Sequence, residues 1–293
     1  MLFEVSLLPT LLMVLLYGYQ PEKLQAGQYL LLYTVLASLP LFITLVTQPP
    51  FLSWLVRGSA AYLGVTLTLG FIVKRPLYLV HIWLPKAHVE APVATSIALA
   101  GVLLKLGSFG LLLFCPFLTH PVLLLYLCLR LIGSVACRIV CTRQWDTKRL
   151  IAFSSVVHIG VVTVGVAVGR ELGYLCAVII VLAHGVCSPL LFAWAYRYYL
   201  DSHRRLLTAN RGRLTTPLSV LCLFLLVAVN IGVPPFLNLW REVLMFAGLL
   251  CYASHALWVL LPVAFLAALY NLYLYVSVAH GKESNSSGDL GAL

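Results

Sequence analysis

Two lysines, Lys74 and Lys105, sit inside the apolar runs LGVTLTLGFIVKRPLYLV and SIALAGVLLKLGSFGLLLF. A lone ammonium at bilayer depth costs about 2.5–3.5 kcal/mol on an insertion scale, so such a residue faces protein or a water path rather than lipid. Other groups able to carry a proton lie in similar runs: Glu4, His158 in SSVVHIG, His184 in VLAHGVCSP, and Glu242. A carboxylate beside an ammonium stabilises both charges, whereas burial favours the neutral forms. A row of Glu, Lys and His at midplane is therefore poised to load and release protons. Each group also has a plainer use. Glu4 is three residues into its run and suits the membrane interface; either histidine suits a hydrogen-bonded core; Glu242 can pair locally with Arg241. Arg130 and Arg138 can snorkel or pair and carry no assigned role, and His88 and Glu90 suit structural hydrogen bonding in a turn. No nucleophile with a base, phosphate loop or nucleotide fingerprint appears.

The elements that hold these groups are membrane helices. Of 293 residues, 62% are hydrophobic and 10% charged, far beyond what one soluble core needs. The fold class is an all-α multispanning membrane protein. At roughly 20 apolar residues per crossing, about nine transmembrane helices are expected, over 2–17, 29–47, 58–84, 93–115, 121–140, 150–169, 173–199, 217–249 and 256–279. Met1-Leu2-Phe3-Glu4 opens directly into an apolar run without a basic leader, so the start reads as a mature helix. The eight cysteines show no C-x-x-C pair and point to neither a disulfide framework nor a metal site.

Two of the runs are long and interrupted. Lys74-Arg75-Pro76 interrupts the first, and Gly232-Val233-Pro234-Pro235 the second. Proline removes a helix donor and exposes backbone groups that protein or water must satisfy. Broken helices at matching places in two halves are the mark of inverted-repeat transporters with midplane ion sites. The expected organisation is one transmembrane domain over 1–280, with a first repeat at about 1–116 and a second at about 121–280. A polar, disordered tail, GKESNSSGDLGAL, occupies 281–293.

Alternating spans place the segments 18–28, 85–92, 141–149, 200–216 and 280–293 on one side. They carry Lys23, Lys86, Arg143, Lys148, Arg149, Arg204, Arg205, Arg211, Arg213 and Lys282, against Arg57 and Arg170 in the opposite loops. By the positive-inside rule the richer side is the matrix or cytoplasm. A net charge of +10 is thus explained by helix flanks and calls for no nucleic acid.

Residues 73–110, VKRPLYLVHIWLPKAHVEAPVATSIALAGVLLKLGSFG, closely resemble the signature of the antiporter-like proton-pumping subunits of respiratory complex I. FEVSLLPTLL from Phe3, DTKRLIAFSSVVHIG from Asp146, VIIVLAHGVCSPLLF from Val178 and VAVNIGVPPFLNLWREVLMF from Val227 agree in order, so the resemblance covers about 1–280. It implies that Glu4 and Lys74 form a pair, that Lys105 and Glu242 continue the proton path, and that His158 and His184 stand on motif positions. It also implies location in the mitochondrial inner membrane with the basic loops in the matrix, lipid contact, and neighbouring antiporter-like subunits as partners. NADH, FMN, iron-sulfur clusters and ubiquinone would belong to other subunits, with no cofactor in this chain. Members of the family carry about fourteen helices. This chain matches from the fifth to the thirteenth, which leaves the first four and the last to be supplied by a companion chain or lost. A multisubunit sodium/proton antiporter and a membrane-arm module that no longer pumps are the alternative functions.

Overall fold

The computed structural model describes residues 2–18, 21–47, 61–115, 118–169, 171–212 and 216–280. The expected tail at 281–293, and Arg57, Arg170, Arg213 and Lys282 from the loop tally, lie outside the described residues.

All regular structure among the described residues is helical. The helices are α1 (Leu2–Val5), α2 (Leu7–Tyr17), α3 (Lys23–Thr47), α4 (Ala61–Lys74), α5 (Trp83–Glu90), α6 (Val93–Phe114), α7 (His120–Thr142), α8 (Thr147–Val168), α9 (Glu171–Ser202), α10 (Pro217–Ile231), α11 (Leu237–Tyr252) and α12 (Leu257–Ala279). Each of the nine expected runs contains helix. Six helices are long and apolar enough to cross a membrane alone: α3, α6, α7, α8, α9 and, with the turn before it, α12. The first run is divided by a turn at Ser6 into α1 and α2.

Helix α8 is the axis of the bundle. Asp146 caps its start by accepting the Lys148 amide at 2.9 Å. Gly169, with φ of 64°, ends it in the left-handed conformation that a side chain would disfavour. Its apolar stretch is 94% buried, as expected of a helix that is apolar all round. It packs against α7, α9, α5 and α11.

Both predicted breaks are present, and both are closed in the same way. Helix α4 stops at Lys74, and the freed carbonyl of Val73 accepts the indole N–H of Trp83, the first residue of α5, at 3.1 Å. Helix α10 stops at Ile231, where Gly232 (φ 92°) caps it; the carbonyl of Val229 accepts Asn238 Nδ2, from the first turn of α11, at 2.5 Å. One expectation needs correction. The segment 85–92 was expected to be a loop, yet residues 83–90 form helix α5, because after Pro76 the chain re-enters a helix anchored by buried Trp83 and Leu84.

The loops assigned to the basic side meet one another. Lys148 Nζ donates to the Ala91 carbonyl at 3.2 Å, Arg205 Nη1 to the Val89 carbonyl at 3.2 Å, and the Thr147 amide to the Arg205 carbonyl at 3.1 Å. At the other end Tyr252 Oη and His120 Nε2 are 3.2 Å apart, and Tyr174 Oη donates to Cys115 Sγ at 3.2 Å.

Candidate functional site

Lys74 is the last residue of α4, and the Pro76 break leaves its side chain buried at the end of that helix. Its Nζ lies 3.0 Å from Glu4 Oε1 of α1. The glutamate is the more open partner, with its side chain 36% exposed against 7% for the lysine. Lys74 also borders a cavity of about 20 Å³ walled by Leu7, Leu30, Trp83, Leu99 and Leu104.

Lys105 rises from α6 just after a single π-helical turn at Leu99–Leu103. There the Leu104 amide reaches back to the Leu99 carbonyl, and the Ala100 carbonyl accepts the Lys105 ammonium. Such one-turn π-bulges recur at functional sites because they reorient side chains and backbone carbonyls. On its other side Lys105 Nζ stands 2.9 Å from His184 Nδ1 of α9. Gly185 lies alongside the lysine, where a Cβ would stand 3.4 Å from Lys105 Cε. The His184 ring is in turn 5.9 Å, centroid to centroid, from the ring of His158 on α8. Arg241 Nη2 holds Glu242 Oε1 at 2.7 Å. Lys105, His184 and His158 thus form one cluster across α6, α9 and α8, and Arg241 with Glu242 a second on α11. The structure brings Glu4 to Lys74 and Lys105 to His184; it joins Glu242 to Arg241 rather than directly to a histidine.

Two expectations about neighbouring residues do not hold. Among the described residues, Arg130 and Arg138 of α7 neither reach an exposed end nor form an ion pair with an acid. They are 2% and 3% exposed and donate to backbone carbonyls, Arg130 to Val156 and Val157, Arg138 to Val263. Arg75 behaves alike, donating to the Ile159 carbonyl at 3.1 Å. Nor does the His88 side chain serve as a hydrogen-bonding brace. Its ring stacks on Phe192 at 4.5 Å and both ring nitrogens are buried without a partner among the described residues. Glu90 is likewise buried, with Oε2 unpartnered; burial raises its carboxyl pKa, an effect that Arg205 opposes. The arginine cluster escapes sequence reasoning because arginines read singly suggest snorkelling. The signal that could have found it is Gly160, which lets the Arg130 guanidinium lie directly against its Cα.

Broken helices around a central buried helix define an antiporter-like membrane protein. The family model "NADH:quinone oxidoreductase/Mrp antiporter, TM" matches residues 1–269. The chain is 43% identical to NADH-ubiquinone oxidoreductase chain 4 of Mytilus edulis over 95% of its own length and 67% of that protein. With chain 4 of Ceratitis capitata it shares 41% over 96% of itself and 65% of the relative. The chain belongs to the NADH-ubiquinone oxidoreductase chain 4 family, and it spans about two thirds of the length of these relatives. Its fold matches a chain of respiratory complex I from Thermus thermophilus, with TM-score 0.83, 24% identity, and coverage of 94% of this chain and 62% of that one. It matches a chain of the Mrp complex from Dietzia equally well, at TM-score 0.85, 19% identity, and coverage of 96% and 56%.

Proposed function

We propose that the chain is a proton-translocating membrane-arm subunit of an NADH:ubiquinone oxidoreductase. It works in the mitochondrial inner membrane with its basic loops in the matrix. The observation that carries the reading is Lys105 Nζ set 2.9 Å from His184 Nδ1 on a π-turn inside the membrane, a contact with little structural purpose and an evident use in proton transfer. Glu4 and Lys74 act as the switchable pair: a proton held on Lys74 by the carboxylate is released inward when that carboxylate withdraws. Lys105, His184 and His158 pass charge toward Glu242, the terminal site. The halves 1–116 and 121–280 act as inverted repeats, a view supported by the matched closure of the two breaks by Trp83 and Asn238. Partners are the other membrane-arm subunits, including neighbouring antiporter-like ones. Other subunits hold NADH, FMN, iron-sulfur clusters and ubiquinone.

The fold likeness to the Mrp complex favours a second reading, a sodium/proton antiporter subunit. Proteoliposomes containing the assembled complex distinguish the two. NADH-driven acidification independent of sodium supports the proton pump, and sodium-dependent proton exchange without NADH overturns it.

A further inference from the structure

Glu242 faces three arginines: its neighbour Arg241, and Arg130 and Arg138 from α7. All four line one cavity of about 20 Å³, with Ser134 as a further polar group and Val157 and Met245 among its apolar walls. Arg241 is taken by Glu242 at 2.7 Å. Arg130 and Arg138 have no carboxylate partner among the described residues, and Arg130 Nη1 and Arg138 Nε are buried without an acceptor. Their bonds to the Val156, Val157 and Val263 carbonyls satisfy geometry but leave the charge. Three cations against one carboxylate leave two positive charges uncompensated in the bilayer interior. Burying an unpaired charge costs several kcal/mol, so such groups are paired in stable proteins.

We propose that this cavity is a binding site for one small monovalent anion, a halide such as chloride, held by the Arg130 and Arg138 side chains that line it. The volume accommodates a species of about the size of a water molecule. Phosphate, bicarbonate and free carboxylates are too large. Shared between the α7 arginines, the anion balances one of the two uncompensated charges and leaves Arg241 paired with Glu242. Without it the arginines would compete for Glu242 and hold that carboxylate in place. The site stands whether or not Glu242 carries protons.

Crystals of the intact assembled complex grown in bromide test the site by anomalous scattering. One bromide peak between Arg130 and Arg138 is expected, replaced by chloride-level density in chloride. Water-level density with no bromide peak overturns the proposal and leaves the cavity to water alone. In purified complex, saturable binding of radiolabelled chloride is expected to weaken at least about tenfold, a change of about 1.4 kcal/mol, in R138M. In R143M, altered at an exposed arginine outside the cavity, binding should be unchanged. Equal chloride binding in R138M and wild type contradicts the site. Should R138M fail to assemble, the wild-type bromide map decides.

Discussion

Arg130 lies so close to Gly160 that a methyl group there would fall on its guanidinium carbon. Gly160→Ala should therefore force Arg130 away from the Val156 and Val157 carbonyls and cost about 1–3 kcal/mol. The check is thermal unfolding of the purified assembly. Gly160→Ala lowers Tm, and adding Arg130→Met restores part of the loss, since the clash then has no guanidinium to meet. An unshifted Tm in Gly160→Ala would show that Arg130 does not lie there. At this scale the lysines were legible: a cation far from either end of an apolar run has little choice but an interior partner. Glu4 was not, because three residues from the start of a run an interface position and a buried pair look the same. Only the fold, by setting α1 beside the end of α4, decides it. A local ion pair was the plainer use left open for Glu242, and Arg241 supplies it; the company of Arg241 with Arg130 and Arg138 depends on α7 packing against α12 and lining one cavity with α11, which residue spacing does not reveal.

Helix breaks are legible because proline lacks a donor, and Pro76 and Gly232–Pro235 sit at the ends of α4 and α10 as their chemistry demands. What closes a break is less visible. Trp83 reads as an ordinary interface aromatic, yet its N–H satisfies the Val73 carbonyl; Asn238 does the same for Val229. Replacing Trp83 by Phe, or Asn238 by Leu, removes the donor, leaves a carbonyl unsatisfied and should cost about 1–3 kcal/mol in either case. Faster amide hydrogen exchange in the last turn of α4 or α10, matching the substituted side, is the expected signature. Unchanged exchange at both would mean that the breaks close without these side chains. The π-turn before Lys105 was hidden for another reason: one extra residue in a helix leaves the apolar pattern of α6 unchanged while turning the residues that follow. Helix α5 was hidden because eight residues including Pro85 give too short a pattern to separate from a loop.

The bundle as a whole is organised around α8, with one end stitched by Lys148, Thr147 and Arg205 and the other by His120 and Tyr252. Three of the basic segments grouped by charge counting, 85–92, 141–149 and 200–212, meet one another. Gln144→Cys and His203→Cys should thus react with an impermeant thiol reagent from one face of oriented vesicles and Ser254→Cys from the other. The exposed Cys128, Cys222 and Cys251 are first replaced by serine. Labelling of Gln144→Cys and Ser254→Cys from the same face would overturn the helix order. Passage of protons through the buried groups is the central claim, and Lys105, set against His184, carries it most directly. The most direct measurement is proton uptake per electron in proteoliposomes of the assembled complex carrying Lys105→Ala. The rate of NADH-driven proton transport is expected to fall by about tenfold or more, equivalent to at least about 1.4 kcal/mol on the barrier, with the complex still assembled. Proton stoichiometry and rate equal to wild type in that variant would contradict it.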